Sequence, residues 1–207
     1  MGRKASKKAK KDRSRKARRA GGFEPPRRRG LPWFPIALVA LAAWGGYTLW
    51  QGRAAASSFD RYLAEGQGLE LAVEEQPSLG SAHLQPGAAF RYGEPAPTSG
   101  PHSPYDLKPG FYAKPQSTER LVHNLEHGNV VVYYDAADPG TLKLLKAWAR
   151  TFNGPMDGIV VAPMEGLGGK VVLTAWQKKL VLDPFDPAAA AVFIDAYRGR
   201  GPEAKVR

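Results

Sequence analysis

From about residue 81 onward, short apolar runs alternate with amphipathic segments of helical period. In chain order the pattern predicts a helix at about 118–127, a strand NVVVYYD, a helix DPGTLKLLKAWARTF, a strand GIVVAP, two strands within KVVLTAWQKKLVLD, and a helix DPAAAAVFIDAYRG. After the first helix, the β-α-β-β-β-α order predicts an α+β (α/β-like) fold. We expect a small mixed β-sheet with two or three helices packed on it.

The segments around these elements differ in composition. Residues 81–117 carry proline or glycine every few positions, which excludes a long helix and predicts loops. They open the predicted globular domain at 81–200. Residues 51–80 contain one short amphipathic piece, SSFDRYLAEG, and are predicted to be a stalk or linker. Residues 201–207 form a predicted terminal tail.

An uncharged, mostly apolar stretch at 31–50 predicts a single N-terminal transmembrane helix, with tryptophan and tyrosine near its ends. Lys and Arg are concentrated before this stretch. The positive-inside rule therefore places residues 1–30 in the cytoplasm and the domain outside it, at the cytoplasmic membrane. Cleavage as a signal peptide is the alternative, because small residues follow at 54–56, but the apolar core of a signal peptide is usually about 7 to 15 residues long.

The strong positive charge belongs to the N-terminal tail. The first 30 residues hold 14 Lys and Arg against only Asp12 and Glu24. We predict a disordered tail that contacts anionic lipid headgroups, at about 1 kcal/mol for each nearby basic side chain. No aromatic residues are interleaved with the charges at 1–20, so nucleic-acid binding is not favoured. The chain contains no cysteine, which excludes disulfides, thiol catalysis and zinc–thiolate sites.

The candidate chemistry lies in the histidines, since all four fall between His83 and His127. In the predicted helix, His123 and His127 are four residues apart and point away from the leucine side. Two imidazoles at this spacing can reach one metal ion, and Glu126 can join them or orient one ring. His102 lies in TSGPHSP, where two prolines restrict the backbone and suit a residue held in one place.

Two other interpretations of these residues remain open. HNLEH fits the H-x-x-E-H signature of inverted zinc proteases, in which Glu126 activates water. That mechanism needs a third protein ligand, and Glu203 is the one acidic residue at a plausible distance downstream. Alternatively, the histidines and Glu126 form a structural polar network in a scaffold or interaction domain of the cell envelope. Met156 and Met164 flank a predicted strand, and thioether ligands would favour copper.

Three short stretches of the chain also resemble a known family. PTSGPH at 97–102, HNLEHG at 123–128 and a later LTAW resemble the bacterial domain of unknown function 3105 family, over about residues 80–200. Members of that family look like membrane-anchored exported proteins. The resemblance implies this location and architecture but supplies no catalytic mechanism.

The resemblance extends to His83, since members often carry a histidine there, and it has two departures. Ala96 replaces the first of two expected prolines, and Asn129 replaces an expected glycine. From the residues and the resemblance together, we predict a metal site of His83, His102, His123, His127 and Glu126 that binds zinc or copper. The sequence favours a binding module over an enzyme and identifies no protein partner.

Overall fold

The structure is a computed structural model that describes residues 33–207. The basic tail predicted at 1–30 lies outside the described residues. The helices are α1 (Trp33–Glu65), α2 (Thr118–Glu126), α3 (Pro139–Thr151) and α4 (Pro187–Tyr197). The strands are β1 (Glu74–Glu75), β2 (Gly110–Phe111), β3 (Val130–Tyr134), β4 (Ile159–Pro163), β5 (Val171–Ala175) and β6 (Lys178–Leu182).

The six strands form one mixed sheet in the order β1-β6-β5-β3-β4-β2. Strands β3 and β4, which α3 connects, are parallel, and β2 is parallel to β4. The remaining neighbours are antiparallel. The predicted mixed sheet with packed helices is therefore confirmed. The two-residue strands β1 and β2 lie in segments that the sequence predicted as linker and loop.

Both faces of the sheet are covered, because the side chains of β3 alternate between two cores. Val130 and Val132 pack in the first core, with side chains from α1, α3 and α4. Val131 and Tyr133 pack in the second core, with Leu121 and Leu125 of α2 and Leu107 of the preceding loop. Helix α2 and the proline-rich segment thus occupy the second face, and the candidate site lies there.

Helix α1 contributes to the first core near its C-terminal end. Phe59 is 3% exposed, and its ring meets Trp148 edge-on at 5.2 Å between ring centres. The segment predicted as a stalk at 51–80 therefore supplies a core side chain. The compact unit that contains the sheet runs from Trp44 to Arg207. Across residues 33–207 the structure has no helix with the length and apolar character needed to cross a membrane, so the transmembrane helix predicted at 31–50 is not supported.

Helix α2 is short and capped at both ends. The Ser117 hydroxyl accepts a hydrogen bond from the Arg120 amide at the N-terminus. Gly128 follows the helix with φ +94°, a conformation that favours glycine, and the chain then enters β3. The predicted leucine side of the helix does face the core. The opposite side differs from a solvated face, because His123 is buried under the proline-rich loop.

Candidate metal centre

The site is assembled from three segments of the chain. A parallel bridge joins His83 to His102, with the Leu84 amide donating to the His102 carbonyl at 2.7 Å and the His102 amide donating to the Ala82 carbonyl at 3.0 Å. Helix α2 supplies His123 and Glu126 from the other side. Backbone pairing thus places two loop histidines beside the helix that carries the rest of the site.

The PTSGPH loop is held in place by hydrogen bonds along its length. The Tyr92 hydroxyl donates to the Pro101 carbonyl at 2.7 Å, and the Gly100 amide donates to the Gly80 carbonyl at 2.9 Å. Gly100 has φ +129°, and a Cβ there would lie 3.1 Å from the Tyr92 ring. His102 itself is fully buried. The loop is therefore part of the packed structure and differs from a solvated surface turn.

Four of the five predicted site residues converge. One ligand atom from each of His83, His102, His123 and Glu126 lies within 4.8 Å of every other. The three imidazole ring centres form a nearly equilateral triangle with sides of 5.0, 5.1 and 5.0 Å. Three imidazoles bound tetrahedrally to one ion, at about 2.0–2.1 Å for each Zn–N bond, place their ring centres about 5 Å apart.

Glu126 completes this cluster from the helix. Its Oε2 atom lies 3.0 Å from Nε2 of His102 and 3.6 Å from Nε2 of His83. The carboxylate side chain is 15% exposed, whereas His83 is half exposed. The cluster therefore has a buried wall, formed by His102, and an opening toward solvent beside His83.

Backbone carbonyls orient two of the rings. Nδ1 of His102 lies 2.8 Å from the Gly100 carbonyl oxygen, and Nδ1 of His123 lies 2.6 Å from the Ser103 carbonyl oxygen. A carbonyl accepts only an N–H, so each Nδ1 carries the proton and each Nε2 carries a lone pair. This is the arrangement that metal-binding histidines adopt in proteins. Nε2 of His102 faces Glu126 at 3.0 Å, and Nε2 of His123 faces Nε2 of His127 at 2.9 Å.

The cluster has more hydrogen-bond acceptors than protons. His102 faces a carbonyl with one nitrogen and the Glu126 carboxylate with the other, yet a neutral imidazole has a single N–H. With that proton on Nδ1, a lone pair and a carboxylate oxygen face each other at 3.0 Å. Either a metal ion or a second proton on His102 removes the conflict. The metal interpretation places an ion beside Nε2 of His102, whereas the structural-network interpretation places a proton on it.

Burial also keeps His123 in the form that binds metals. Desolvation lowers the pKa of His123 below its ordinary value near 6.5, and the neighbouring histidines add to the shift, whereas the hydrogen bond to the Ser103 carbonyl opposes it. His123 is therefore neutral at pH 7. Neutral imidazole is the ligand form, so this side chain needs no deprotonation before it binds an ion.

His127, the fifth predicted residue, lies beside the cluster and belongs to a separate set of contacts. Its Nε2 atom is 2.9 Å from Nε2 of His123 and 3.0 Å from Oε2 of Glu203. On the other side of the ring, Nδ1 is 3.4 Å from Oδ2 of Asp106. Glu203 thus reaches the H-x-x-E-H helix from the C-terminal segment. Sequence reasoning identified Glu203 only as the available downstream acid, and no signal in the sequence pointed to Asp106.

The two departures from the family motifs have local explanations. Ala96 has φ +51°, a conformation that the ring of proline forbids. Asn129 is buried, accepts a hydrogen bond from Asn124 at 2.8 Å, and donates to the Pro155 carbonyl at 2.9 Å. Glycine could make neither side-chain contact.

Met164 packs against the second core, and the residues that converge on the cluster offer only nitrogen and oxygen ligands.

A family model described as "Protein of unknown function (DUF3105)" matches residues 83–207. The matched region begins at the first histidine of the cluster and includes every residue of the site described above. No curated protein and no solved structure matches the chain.

Proposed function

The chain belongs to the DUF3105 family, and we propose that it is a metal-binding module in which His83, His102, His123 and Glu126 hold one divalent ion. The observation that carries the proposal is the convergence of four ligand atoms within 4.8 Å, three of them on imidazoles whose ring centres are about equally spaced. Structural zinc sites commonly have four protein ligands in this arrangement.

The orientation of the rings supports the same proposal. Both buried histidines direct Nδ1 to a backbone carbonyl, which leaves the lone pair of each Nε2 free to bind an ion. A cation between His102 and Glu126 also satisfies two acceptors that otherwise oppose each other. Surface histidines that met by chance would have no reason to share one ring orientation.

The donor set favours borderline metal ions. Three imidazole nitrogens and one carboxylate oxygen suit Zn²⁺ or Cu²⁺, whereas Cu⁺ prefers sulfur ligands that the cluster does not offer. Between these two, intrinsic affinity follows the Irving–Williams order and is higher for Cu²⁺. We propose zinc or divalent copper as the bound ion.

The hydrolase interpretation has two observations in its favour, since Nε2 of His127 lies 2.9 Å from Nε2 of His123 and 3.0 Å from Oε2 of Glu203, the third zinc ligand that it needs. Its general base would be Glu126, which here faces His102 and His83. A carboxylate that binds the ion is not available to activate water. We therefore propose metal binding first and keep hydrolysis as the second candidate.

The experiment is a metal measurement on the purified full-length chain. After chelator treatment, the protein is titrated with Zn²⁺ and with Cu²⁺, and bound metal is measured by mass spectrometry. His102→Gln and His123→Gln keep most of the side-chain volume and should remove the tight ion. Glu165→Gln alters an exposed acid in the turn after β4 and should change nothing. A wild-type chain that binds neither ion and gains no thermal stability from them refutes the proposal.

The location outside the cytoplasm, and the contact between the basic tail and anionic lipid headgroups, stay proposals from the sequence. A reporter enzyme that is active only outside the cytoplasm, fused after Arg207, tests the first. Binding of the full chain to neutral and to anionic vesicles tests the second, because an electrostatic contact should need the anionic lipid and weaken with salt.

A further inference from the structure

His127, Glu203 and Asp106 form a second group of polar side chains on the far side of His123. Nε2 of His127 and Oε2 of Glu203 are 3.0 Å apart, and the Glu203 side chain is 53% exposed. Two ligand atoms about 2.1 Å from one tetrahedral ion lie about 3.4 Å apart. The pair therefore needs to open by only about 0.4 Å to hold an ion that stays accessible to water.

A neutral His127 lacks enough protons for its neighbours, and either a second proton or a metal ion on Nε2 supplies what is missing. Nδ1 is buried without an aligned hydrogen bond, and its nearest acceptor is Oδ2 of Asp106 at 3.4 Å. Nε2 faces the Glu203 carboxylate and the lone pair of His123, whose own proton is used on the Ser103 carbonyl. With its one proton on Nε2, His127 leaves Nδ1 toward Asp106 as an unpaired acceptor. With that proton on Nδ1, three acceptors meet at Nε2.

The second arrangement is the one that a metal ion stabilises. A histidine that binds a metal commonly directs its other N–H toward a carboxylate, which fixes the ring and raises its basicity. Asp106 occupies that position behind His127. Asp106, His127 and the ion then lie in the order of the carboxylate–histidine–metal arrangement, and Glu203 is the second protein ligand.

The C-terminal segment is held against α2 at the place that delivers Glu203. A Cβ on Gly201 would lie 2.3 Å from the Glu126 carbonyl oxygen and 2.4 Å from the Gly128 amide nitrogen, so the two segments of backbone are in contact there. The Gly199 amide donates to the Gly128 carbonyl at 2.8 Å, and the Glu203 amide lies 3.4 Å from the Glu126 carbonyl oxygen. Glu203 is thus attached to the helix that carries His127.

We propose that His127 and Glu203, with Asp106 behind His127, bind a second divalent cation next to the ion of the first site. This inference rests on the proposed function, because His123 separates the two positions and presents its Nε2 atom 2.9 Å from that of His127. Two protein ligands and open positions for water make the second site the weaker of the two. Ions at this exposed position have direct access from solvent.

The test is the stoichiometry of Zn²⁺ binding by the full-length chain, measured by calorimetry after chelator treatment and checked by mass spectrometry. Wild type should bind two ions in a tight and a weak step. Glu203→Gln should lose the weak step and keep the tight one, and His127→Gln should do the same. Glu165→Gln is the matched control for loss of one exposed carboxylate. Because Glu203 is largely exposed, its variant should fold normally.

The outcomes separate the two proposals. Loss of the weak step alone in Glu203→Gln supports the second site. One ion in wild type, removed by His102→Gln and unchanged in Glu203→Gln, overturns the second site and leaves the first. Loss of every ion in Glu203→Gln also overturns it, because Glu203 then belongs to a single shared site. No binding by wild type overturns both.

Discussion

Replacing Glu126 by glutamine separates a metal ligand from a structural ion pair. Glu126 Oε2 lies 3.0 Å from Nε2 of the fully buried His102, and His102 Nδ1 lies 2.8 Å from the Gly100 carbonyl. If the site is built for a metal, His102 is neutral without the ion, and its Nε2 lone pair opposes the carboxylate. If the site is a structural network, His102 carries both protons and pairs with Glu126.

The two interpretations predict changes of opposite sign in the free energy of unfolding of metal-free Glu126→Gln. In the metal interpretation the glutamine amide donates to His102 Nε2, so the metal-free chain should keep its stability or gain about 0.5–1.5 kcal/mol, the net value of one hydrogen bond. In the network interpretation the variant leaves a protonated His102 buried without its partner, which costs about 3–5 kcal/mol. The difference exceeds the error of a denaturation experiment.

The assay is urea denaturation of the metal-free chain in chelator at pH 7.5, with Glu165→Gln as the control. A zinc competition assay on the same samples should show an affinity at least 10–100-fold lower for Glu126→Gln, since even loss of a partner outside the ligand shell has about that effect. A metal-free variant destabilised by more than about 3 kcal/mol, with zinc affinity unchanged, would refute the metal interpretation.

Three further predictions concern single positions. The pKa of His123 is lowered in the folded chain, so the unfolded chain binds more protons as the pH falls below about 6.5. Metal-free wild type should therefore lose stability in that range, and His123→Gln should lose less. Urea denaturation at pH 5 to 7.5 measures both. Asn129→Ala removes the side-chain hydrogen bonds to Asn124 and to the Pro155 carbonyl and should cost about 1–3 kcal/mol in the same assay. Asn153→Ala, at an exposed position, should cost almost nothing. Gly201→Ala forces a Cβ to 2.3 Å from the backbone of α2 and should displace Glu203. Calorimetry should then show that the weak zinc-binding step is lost and the tight step is kept. A retained weak step would show that the C-terminal segment does not position Glu203.

The parts of the fold that the sequence predicted are those with a local pattern. Strands β3 to β5 are runs of mostly β-branched and apolar residues, and β6 ends in Leu-Val-Leu. Helices α3 and α4 begin at aspartate caps followed by proline. Strands β1 and β2 have two residues each and form only because a neighbouring strand offers its edge. Helix α1 continues to Glu65 because Phe59 packs against Trp148, a contact 89 residues away in sequence that no local pattern contains.

The candidate site also combines features that follow from local sequence with features that depend on contacts between distant segments. The spacing of His123 and His127 on a helix, and the restricted loop around His102, are local features, so the sequence predicted both halves of the cluster. Their separation into two groups is set by the tertiary fold. Residues 103–106 cross over α2, bringing the Ser103 carbonyl to His123 and the Asp106 carboxylate to His127. Helical spacing alone would have assigned both histidines to one ion.

The direction of each ring follows from which acceptor stands behind it. His102 and His123 have backbone carbonyls behind Nδ1, which are fixed by the fold and uncharged. His127 has a carboxylate behind Nδ1, and that carboxylate belongs to the side chain of Asp106. The buried cluster is thus oriented by the backbone and has four protein ligands, whereas the exposed pair is oriented by a side chain and has two. Binding of the first ion should therefore depend on folding of the proline-rich loop, and binding of the second on the position of the C-terminal segment. Variants in one segment should affect one step of the zinc isotherm and leave the other unchanged.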